Sequence, residues 1–497
     1  MKKSLKITII GALALCLLTG VTLSPATSAE TLSAVSAQTE TAVSEADVSA
    51  LSTVLDVSVS KRDASGEYDS SEAKTLSPGD DLTITEAGVY ILSGVYQDQM
   101  IVIDVDKEEK VQFVLENAAL TNGNGPAVYV RSADKVFITA AEGTDNSISD
   151  GADYALTEDE TGLDAAVFSK EDLTVNGSGK LTINGNYKHA VVSKDDLVIT
   201  AKDLTVNAVN VALNGKDSVT LSEATVSITS GTDGIRSDNG TDENRGTVAV
   251  LNSAVSITSG KDGIQALTVF GAENATITIL SGSGSGNYSN TESYKGIKAG
   301  VAIMIDGGTY RIETIDDAIH SNGLAVITGG EITIRSGDDG IHANEKVGIA
   351  GGTFQITARE GIEATYILIA GGDITISASD DGINAARKSS AYTPTVEITG
   401  GSVTVTMGAG DTDGIDSNGN IVITGGTISV NGNSAFDYDG SATFTGGTVY
   451  VNGQQVTTLP NQMMGRGMGG QGFGNFGGFG SFGGGYNGFR GGRGGRN

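Results

Sequence analysis

The sequence predicts an all-β fold, a single-stranded parallel β-helix with about 21 to 22 residues per coil. Gly is abundant (71 residues), Pro is scarce (5 residues), and Val, Ile and Thr dominate the apolar runs, which favours strands and turns. A phrase of an acid followed by Gly and Ile recurs along the chain, as in Ser336–Ala385. Each repeat contains short strand-like runs, and about 22 residues are too few for a strand-helix-strand unit, which needs about 30.

The glycines of the repeated phrase set the period of the predicted coils. The aligned positions are Gly234, Gly263, Gly296, Gly340, Gly361, Gly382 and Gly414, with Ala318 and Ala435 in two further repeats. Longer steps between some of them indicate inserted loops. Stacked coils lie about 4.8 Å apart, so inward Val, Ile and Leu residues form one continuous core. A leucine-rich repeat has a similar period, but its leucine and asparagine pattern and its helical segment are absent.

The first segment, residues 1–29, has the pattern of a secretory signal peptide. A basic stretch (Met1–Lys6) precedes an apolar stretch (Ile7–Gly20), and small residues lead to a cleavage position after Ala29. The single cysteine, Cys16, lies here, so we expect no disulfide or thiolate metal site in the mature chain. No other apolar run reaches the ~18 residues of a membrane span. We therefore expect a secreted protein, extracellular or associated with the cell surface, without a transmembrane segment.

Three segments follow the predicted signal peptide. Residues 30–75 begin with a mixture of Ser, Thr, Ala and Glu, which indicates a flexible lead-in. Residues 76–462 form one uninterrupted repetitive array, which predicts a single β-helix domain. Residues 463–497 are rich in Gly with scattered Phe, Tyr and Arg, a composition typical of a disordered tail.

The charge of the chain limits its partners. A net charge of −29 at pH 7 argues against nucleic acid as a partner. In a β-helix, equivalent residues stack above one another, so the acids before the glycines form a column at about 4.8 Å spacing. Adjacent carboxylates at that distance repel by about 1 kcal/mol in water and by more at a protein surface. We therefore expect cations to compensate the column.

Calcium is the cation that the acidic column predicts, because Ca²⁺ takes about six to eight oxygen ligands. The predicted ligands are Asp233, Asp262, Asp316, Asp317, Asp338, Asp339, Glu360, Asp380, Asp381, Asp411, Asp413 and Asp416. Two alternatives remain open. A single Asp-Gly pair is ordinary turn chemistry with the aspartate facing solvent, and some acids could be compensated by Lys295, Arg335, Arg359 and Arg387 instead.

The residues that follow each isoleucine of the phrase form a second column. They are all polar: Arg236, Gln265, Lys298, His320, His342, Glu363, Asn384, Asp416 and Asp437. We expect this column to face solvent. His320 and His342 could share a transition metal, but the sequence offers no evident third ligand, so stacked solvated histidines are the favoured interpretation.

Longer stretches of the sequence resemble the clostridial carbohydrate-binding β-helix family. Besides the Asp-Gly-Ile coils, the stretches that carry the resemblance are Leu82–Val105, Val111–Gly151 and Phe168–Thr200. The resemblance covers about Leu76 to Gln455 and implies an extracellular, right-handed parallel β-helix of pectate-lyase-like architecture. It also implies binding of calcium and of plant cell-wall polysaccharides such as cellulose and polygalacturonate. His189 and Val211 stand where the family has an acid, which argues against a cation site on those coils.

We expect calcium-dependent polysaccharide binding without catalysis, by a monomer. The acids repeat evenly over many coils, whereas a catalytic site is a single irregular constellation. Calcium could also bridge the acidic column to the carboxylates of a pectic polymer. The chain contains no Trp, so tyrosines beside loops and turns are the predicted aromatic contacts to sugar. These are Tyr288, Tyr294, Tyr310, Tyr366 and Tyr392.

Two other classes of function stay open. A pectate-lyase-like enzyme needs calcium and an Arg or Lys base, and such residues lie near the acidic coils: Arg335, Arg359, Arg387, Lys295 and Lys298. Hydrolysis by two carboxylates is a variant of this alternative. A cell-surface adhesin or structural solenoid without a sugar ligand is the second alternative.

Overall fold

The computed structural model of the chain describes residues 57, 59–79, 82–156, 160–242, 244–286, 292–408 and 412–461. The described residues all belong to one compact unit, within Met1–Gln462. The predicted signal peptide and the predicted Gly-rich tail lie outside the described residues. No helix in the described ranges is long and apolar enough to cross a membrane.

The described residues form a parallel β-helix, as predicted. A complete coil contributes one strand to each of three parallel sheets, named A, B and C here, and its strands pair with their equivalents in the next coil. Sheet A contains β1 (Lys74–Leu76), β3 (Gly88–Gln97), β5 (Lys110–Asn122), β7 (Lys135–Ala140), β10 (Asp172–Gly177), β13 (Asp196–Ile199), β16 (Ser218–Ser222), β19 (Thr247–Leu251), β22 (Val269–Glu273), β25 (Ala302–Asp306), β28 (Leu324–Ile327), β30 (Asp339–Ile349), β32 (Glu360–Ile369), β35 (Thr395–Ile398), β38 (Asn420–Ile423) and β41 (Ala442–Phe444).

Sheet B follows sheet A along each coil and begins with the second halves of β3 and β5. It continues with β8 (Asp145–Asp150), β11 (Lys180–Gly185), β14 (Asp203–Ala208), β17 (Thr225–Ser230), β20 (Ala254–Ser259), β23 (Thr276–Ser281), β26 (Thr309–Thr314), β29 (Glu331–Ser336), β31 (Thr353–Ala358), β33 (Asp373–Ala378), β36 (Ser402–Met407), β39 (Thr427–Asn431), β42 (Thr448–Val451) and β43 (Gln454–Val456). The last pair, β42 with β43, is antiparallel.

Sheet C carries the repeated phrase and includes the first halves of β30 and β32. Its other strands are β2 (Thr83–Ile84), β4 (Ile101–Asp104), β6 (Val128–Ser132), β9 (Ala165–Ser169), β12 (His189–Ser193), β15 (Leu213–Gly215), β18 (Ile235–Ser237), β21 (Ile264–Ala266), β24 (Ile297–Ala299), β27 (Ile319–Ser321), β34 (Ile383–Ala385), β37 (Asp413–Ser417) and β40 (Ser434–Tyr438).

Alternation of apolar and polar residues explains why the strands close around one core. In β20 and β23, every second side chain is buried and the intervening ones are exposed. The buried set, such as Ile257 and Ile279, joins a single hydrophobic cluster that extends from the first coils to the last. Period-two alternation on stacked strands therefore produces the continuous core that the sequence predicts.

The corner between sheets A and B requires a left-handed backbone in coil after coil. Glu223, Asn252 and Asn274 have φ of 49°, 46° and 47° at this corner. In later coils the second residue of each Gly-Gly pair takes over, as Gly330 and Gly352 show with φ of 111° and 106°. Glycine adopts such angles without steric cost, which accounts for the recurring pairs.

One α-helix, α1 (Lys61–Ser65), lies among the described residues, within the segment predicted as a flexible lead-in. Ser60 and Asp63 form a capping box, in which each side chain accepts a hydrogen bond from the other's backbone N–H, at 3.1 and 2.9 Å. The Asp63 carboxylate is buried and accepts from Lys135 Nζ (2.8 Å) and Thr174 Oγ1 (2.6 Å). The helix is thus attached to the side of sheet A by polar contacts.

Candidate functional site

The two columns of polar residues that the sequence predicts lie side by side along sheet C. Strand pairing sets Asp339 beside Glu360 and aligns the isoleucines of successive phrases, which places each preceding acid above the next. The acidic column comprises Asp233, Asp262, Lys295, Asp317, Asp339, Glu360, Asp381 and Asp413. The polar column comprises Arg236, Gln265, Lys298, His320, His342, Glu363, Asn384, Asp416 and Asp437.

The predicted calcium ligands fall at three places around these columns. Asp316, Asp338 and Asp380 directly precede the acidic column in the turn, Asp416 belongs to the polar column, and Asp411 lies outside the described residues. All the remaining predicted ligands belong to the acidic column. The stacking that the period predicts is therefore present, and the surroundings of each carboxylate decide what it can bind.

The polar column is much less exposed than the sequence indicates. His342, Glu363 and Asn384 are buried, although they point away from the hydrophobic core. Side chains of the neighbouring acidic column and of the adjacent turns converge on them. The expectation of a solvated column is therefore wrong for its central part, because stacking at the strand spacing packs polar side chains against one another.

Protein cations occupy the middle of the acidic column. Lys295 Nζ lies 2.8 Å from Asp316 Oδ2 and 2.9 Å from Asp317 Oδ2. The same Asp317 oxygen lies 2.7 Å from His320 Nδ1. Burial alone would raise the pKa of Asp317, but the His320 hydrogen bond and the Lys295 charge outweigh it and lower the pKa. Lys295 and His320 therefore place two basic side chains beside this carboxylate.

Two further basic side chains bridge the next coils. Arg359 reaches Asp338 Oδ1 through Nε (2.6 Å) and Glu360 Oε1 through a terminal nitrogen (2.9 Å), and it also contacts Asp380. Lys388 Nζ lies 2.8 Å from Glu363 Oε1. The alternative in which basic residues compensate the acids therefore holds here for Lys295 and Arg359. Arg335 and Arg387 are exposed instead.

In the first coils of the columns, as in the middle ones, acidic side chains lie beside basic ones. Arg236 lies 3.5 Å from Asp233, and Lys298 lies 3.4 Å from Asp262 Oδ2, which also accepts a hydrogen bond from Ser293. Upstream, His189 takes the acid's place, and its Nδ1 accepts from the backbone N–H of Val211 at 3.2 Å. The early coils thus continue the columns without a cluster of acids.

The last coils differ, because neighbouring acids repel one another there. Burial, followed by the charges of Asp380 and Asp413, raises the pKa of Asp381 to about 6. Burial, followed by repulsion from Asp381, Asp413 and Asp437, raises the pKa of Asp416 to about 7. Both carboxyls therefore gain from any additional cation that binds near them.

A model of the family described as carbohydrate-binding domain-containing proteins matches residues 78–340 and 326–457, nearly the whole β-helix. The chain belongs to this family. A carbohydrate-binding domain-containing protein from Acetivibrio thermocellus is 34% identical over 129 residues, which cover 26% of this chain and 45% of that protein. The chain thus spans less than half the length of that relative.

One solved structure is similar to this carbohydrate-binding domain-containing protein. It is described as the polysaccharide lyase-like protein from C. thermocellum, in a gadolinium derivative. It shares 30% sequence identity, with a TM-score of 0.41, over 45% of this chain and 86% of that chain.

The five tyrosines predicted to contact sugar differ in how far they are buried in this family member. Tyr310 is fully buried (0% exposed) in the core, so its prediction is wrong, because its strand position points inward. Tyr366 is also buried and donates a hydrogen bond to Glu397. Tyr294 and Tyr392 are half-buried at the surface, and Tyr288 lies outside the described residues. Tyr294 and Tyr392 therefore remain as candidate sugar contacts.

Sequence reasoning missed two asparagines and a lysine beside the columns. The Oδ1 atoms of Asn322 and Asn344 lie 3.0 and 3.1 Å from Nε2 of the histidines two residues before them, His320 and His342. The His-x-Asn spacing in both coils could have predicted these contacts, because alternate residues of an extended chain point to the same side. Lys388 gave no such signal, since it enters from a turn outside the repeat.

Proposed function

We propose that the protein is secreted and binds plant cell-wall polysaccharide in a calcium-dependent manner, without cleaving it. The membership of the chain in a carbohydrate-binding domain family supports polysaccharide as the ligand class. The signal-peptide pattern of residues 1–29 supports export. Polygalacturonate and cellulose are the proposed polymers, and calcium would join the carboxylates of the protein to those of an acidic polymer.

The observation that carries calcium dependence is the excess negative charge of the last coils. Asp381 and Asp416 each have a raised pKa because burial and neighbouring carboxylates disfavour their ionised forms. Carboxylate oxygens fit the ligand preference of Ca²⁺. We therefore assign the calcium site to Asp381, Asp413 and Asp416. Four aspartates that lie beside protein cations are not part of it: Asp233, Asp262, Asp317 and Asp380.

The state of the basic residues supports binding rather than lyase chemistry. A lyase needs a base that loses its proton readily. Arg359 instead contacts three carboxylates, and those hydrogen bonds and charges outweigh burial and raise its pKa. Asp317 and Asp316 likewise outweigh burial and raise the pKa of Lys295. Both side chains are thus held in the protonated form, which stabilises the columns but makes each a poor base.

Co-sedimentation with insoluble polygalacturonate tests this proposal. We expect the mature protein to pellet in calcium and to stay in solution with a chelator, while the supernatant gains no absorbance from unsaturated uronide ends. The double variant Asp381→Asn/Asp416→Asn should lose calcium-dependent pelleting. Asp373→Asn is the matched control, because Asp373 is exposed on sheet B and changes the charge in the same coil as Asp381.

Each other outcome points to a different function. Rising absorbance in the supernatant would identify a lyase, and equal pelleting in chelator would remove the calcium requirement. Failure to pellet with either polygalacturonate or cellulose would contradict polysaccharide binding and favour an adhesin with another partner.

A further inference from the structure

The histidines of two adjacent coils form a parallel stack within the polar column. The ring centroids of His320 and His342 are 4.6 Å apart and the rings are inclined by only 11°. Strand pairing puts the two residues in the same register, so both rings point the same way. Each Nδ1 faces the acidic column, at 2.7 Å from Asp317 Oδ2 and from Asp339 Oδ2 respectively.

In each ring Nε2 forms a hydrogen bond to an asparagine, which leaves Nδ1 as the nitrogen that can bind a metal ion. Nε2 of each ring lies about 3 Å from the Oδ1 atom of Asn322 or Asn344. A carbonyl oxygen only accepts, so Nε2 carries the proton and donates it. Nδ1 donates to a carboxylate in the metal-free protein, so a metal ion would bind Nδ1 in place of that proton. Partners of this kind orient metal-binding histidines in proteins generally.

The structure supplies the third ligand that the sequence did not reveal. Ligand atoms of Asp317, His320 and His342 all lie within 4.8 Å of one another, and so do those of Asp339, His342 and Glu363. The Glu363 Oε2 atom is 3.0 Å from His342 Nδ1. The two groups overlap at His342. Imidazole nitrogens with carboxylates favour divalent transition metals, whereas Ca²⁺ favours oxygen ligands alone.

An independent observation is a buried carboxylate oxygen in the same cluster that has no donor. In three other coils the Oδ1 atom of the column aspartate accepts a backbone N–H from the next coil, for example Asp317 from Asp339 at 3.1 Å. Asp339, only 3% exposed, has no such bond, and its Oδ1 has no hydrogen-bond partner among the described residues. A buried acceptor left unpaired is costly, and a metal ion would satisfy it.

The carboxylates around the two rings also favour a cation. The Nδ1 atoms of His320 and His342 lie 2.7 to 3.0 Å from carboxylate oxygens of Asp317, Asp339 and Glu363. A divalent ion bound among these atoms would compensate the negative charge of the three carboxylates.

We propose that His320 and His342, together with Asp317, Asp339 and Glu363, bind one divalent transition-metal ion of the zinc class. The site is separate from the calcium site proposed in the last coils. Its ion would cross-link three successive coils of sheet C, since its ligands come from β27 and the turn before it and from the first halves of β30 and β32.

Titration of the untagged mature protein with Co²⁺, followed by visible absorbance, tests this site. We expect a saturable band at one Co²⁺ per chain that Zn²⁺ removes and that excess Ca²⁺ leaves in place. His342→Gln should weaken binding at least tenfold. His189→Gln is the matched control, because His189 is the third histidine of the chain and lies outside the cluster. Its Co²⁺ affinity should equal that of the wild type.

Wild-type protein with labelled imidazoles gives a second test that does not depend on a variant folding. Zn²⁺ should shift the ring resonances of His320 and His342 and leave those of His189 unchanged. Absence of a Co²⁺ band, displacement by Ca²⁺, or wild-type affinity in His342→Gln would each overturn the proposal. None of these results depends on whether the protein binds polysaccharide.

Discussion

The glycine of the repeated phrase is required by the neighbouring coil rather than by its own backbone angles. Gly263 has no positive φ. A Cβ atom at this position would lie 2.6 Å from the carbonyl oxygen of Gly296 and 2.6 Å from Ile279 Cγ2. The next coil accepts the chain so closely that a methyl group has no room. In most coils a glycine stands at this position because the chain must make this close approach as it enters sheet C.

Gly263→Ala should therefore destabilise the protein. Overpacking against a backbone oxygen costs about 1–3 kcal/mol. The measurement is the midpoint of urea unfolding, compared with Gly348→Ala, where an added Cβ meets nothing within 4 Å. Ala318 occupies the equivalent position in another coil, which shows that some coils have room for a methyl group. The expected loss of stability therefore depends on the close contacts at Gly263 in particular. Equal midpoints for both variants would refute this explanation of the glycine.

For individual residues, the sequence predicted the two stacked columns. It did not predict which groups their side chains would contact. The period was sufficient to align Asp317 with Asp339, because strand pairing preserves register. It did not show that Lys295 Nζ lies between two carboxylates, since a long side chain selects its partners in three dimensions. It also did not show that Tyr310 points inward, which depends on where the strand begins.

Among the elements, α1 shows how hydrogen bonds and an ion pair can attach a short helix to a solenoid. Its sequence, Lys61–Ser65, has no apolar periodicity, so the pattern gave no helix prediction there. The buried Asp63 carboxylate holds it in place, with hydrogen bonds from Lys135 and Thr174. Asn176 Nδ2 also donates to the Asp63 carbonyl oxygen at 3.1 Å.

We expect the docking of α1 to weaken in acid. Burial alone would raise the pKa of Asp63, but Lys135 and the hydrogen bonds of Ser60 and Thr174 outweigh it and lower the pKa. A carboxyl with a lowered folded-state pKa stabilises the fold above its ordinary pKa of 3.8. This contribution is lost as pH falls below that value and through the folded-state pKa.

Amide hydrogen exchange of α1 measures this loss. Asp63→Asn should speed exchange at neutral pH, and the difference from wild type should shrink as the pH falls below the ordinary aspartate range. Glu67→Gln, in the same segment, is the control and should match wild type throughout. A difference that stays constant with pH would show that the Asp63 charge does not hold the helix.

Across the whole molecule, the repeat period was sufficient to predict the β-helix. It did not predict the structure of the ends or of the inserted loops. The coils around His189 and Val211 lack the phrase, yet they pair in the same register as the rest. Nothing in the repeat indicated that the last parallel strand, β42, would be followed by an antiparallel partner. Among the described pairings, that of β42 with β43 is the one that reverses direction.

The β43 strand should act as a cap against self-association. A chain that ends at Asn452 exposes the edge of β42, and unpaired edges recruit other strands. A chain that ends at Asn461 keeps β43. Light scattering after size-exclusion chromatography should find the longer chain monomeric and the shorter one associated. Two monomeric chains would mean that β43 does not protect the edge.

The parallel pairing of each coil with the next also has a mechanical consequence. The hydrogen bonds between coils all lie along the axis of the solenoid, so a pull on one terminus loads only the few bonds of the outermost coil. Each coil that detaches, such as the 21-residue step from Gly340 to Gly361, releases roughly 70 Å of extended chain. A molecule anchored at one terminus and held by its ligand would lengthen in steps under shear instead of rupturing at once.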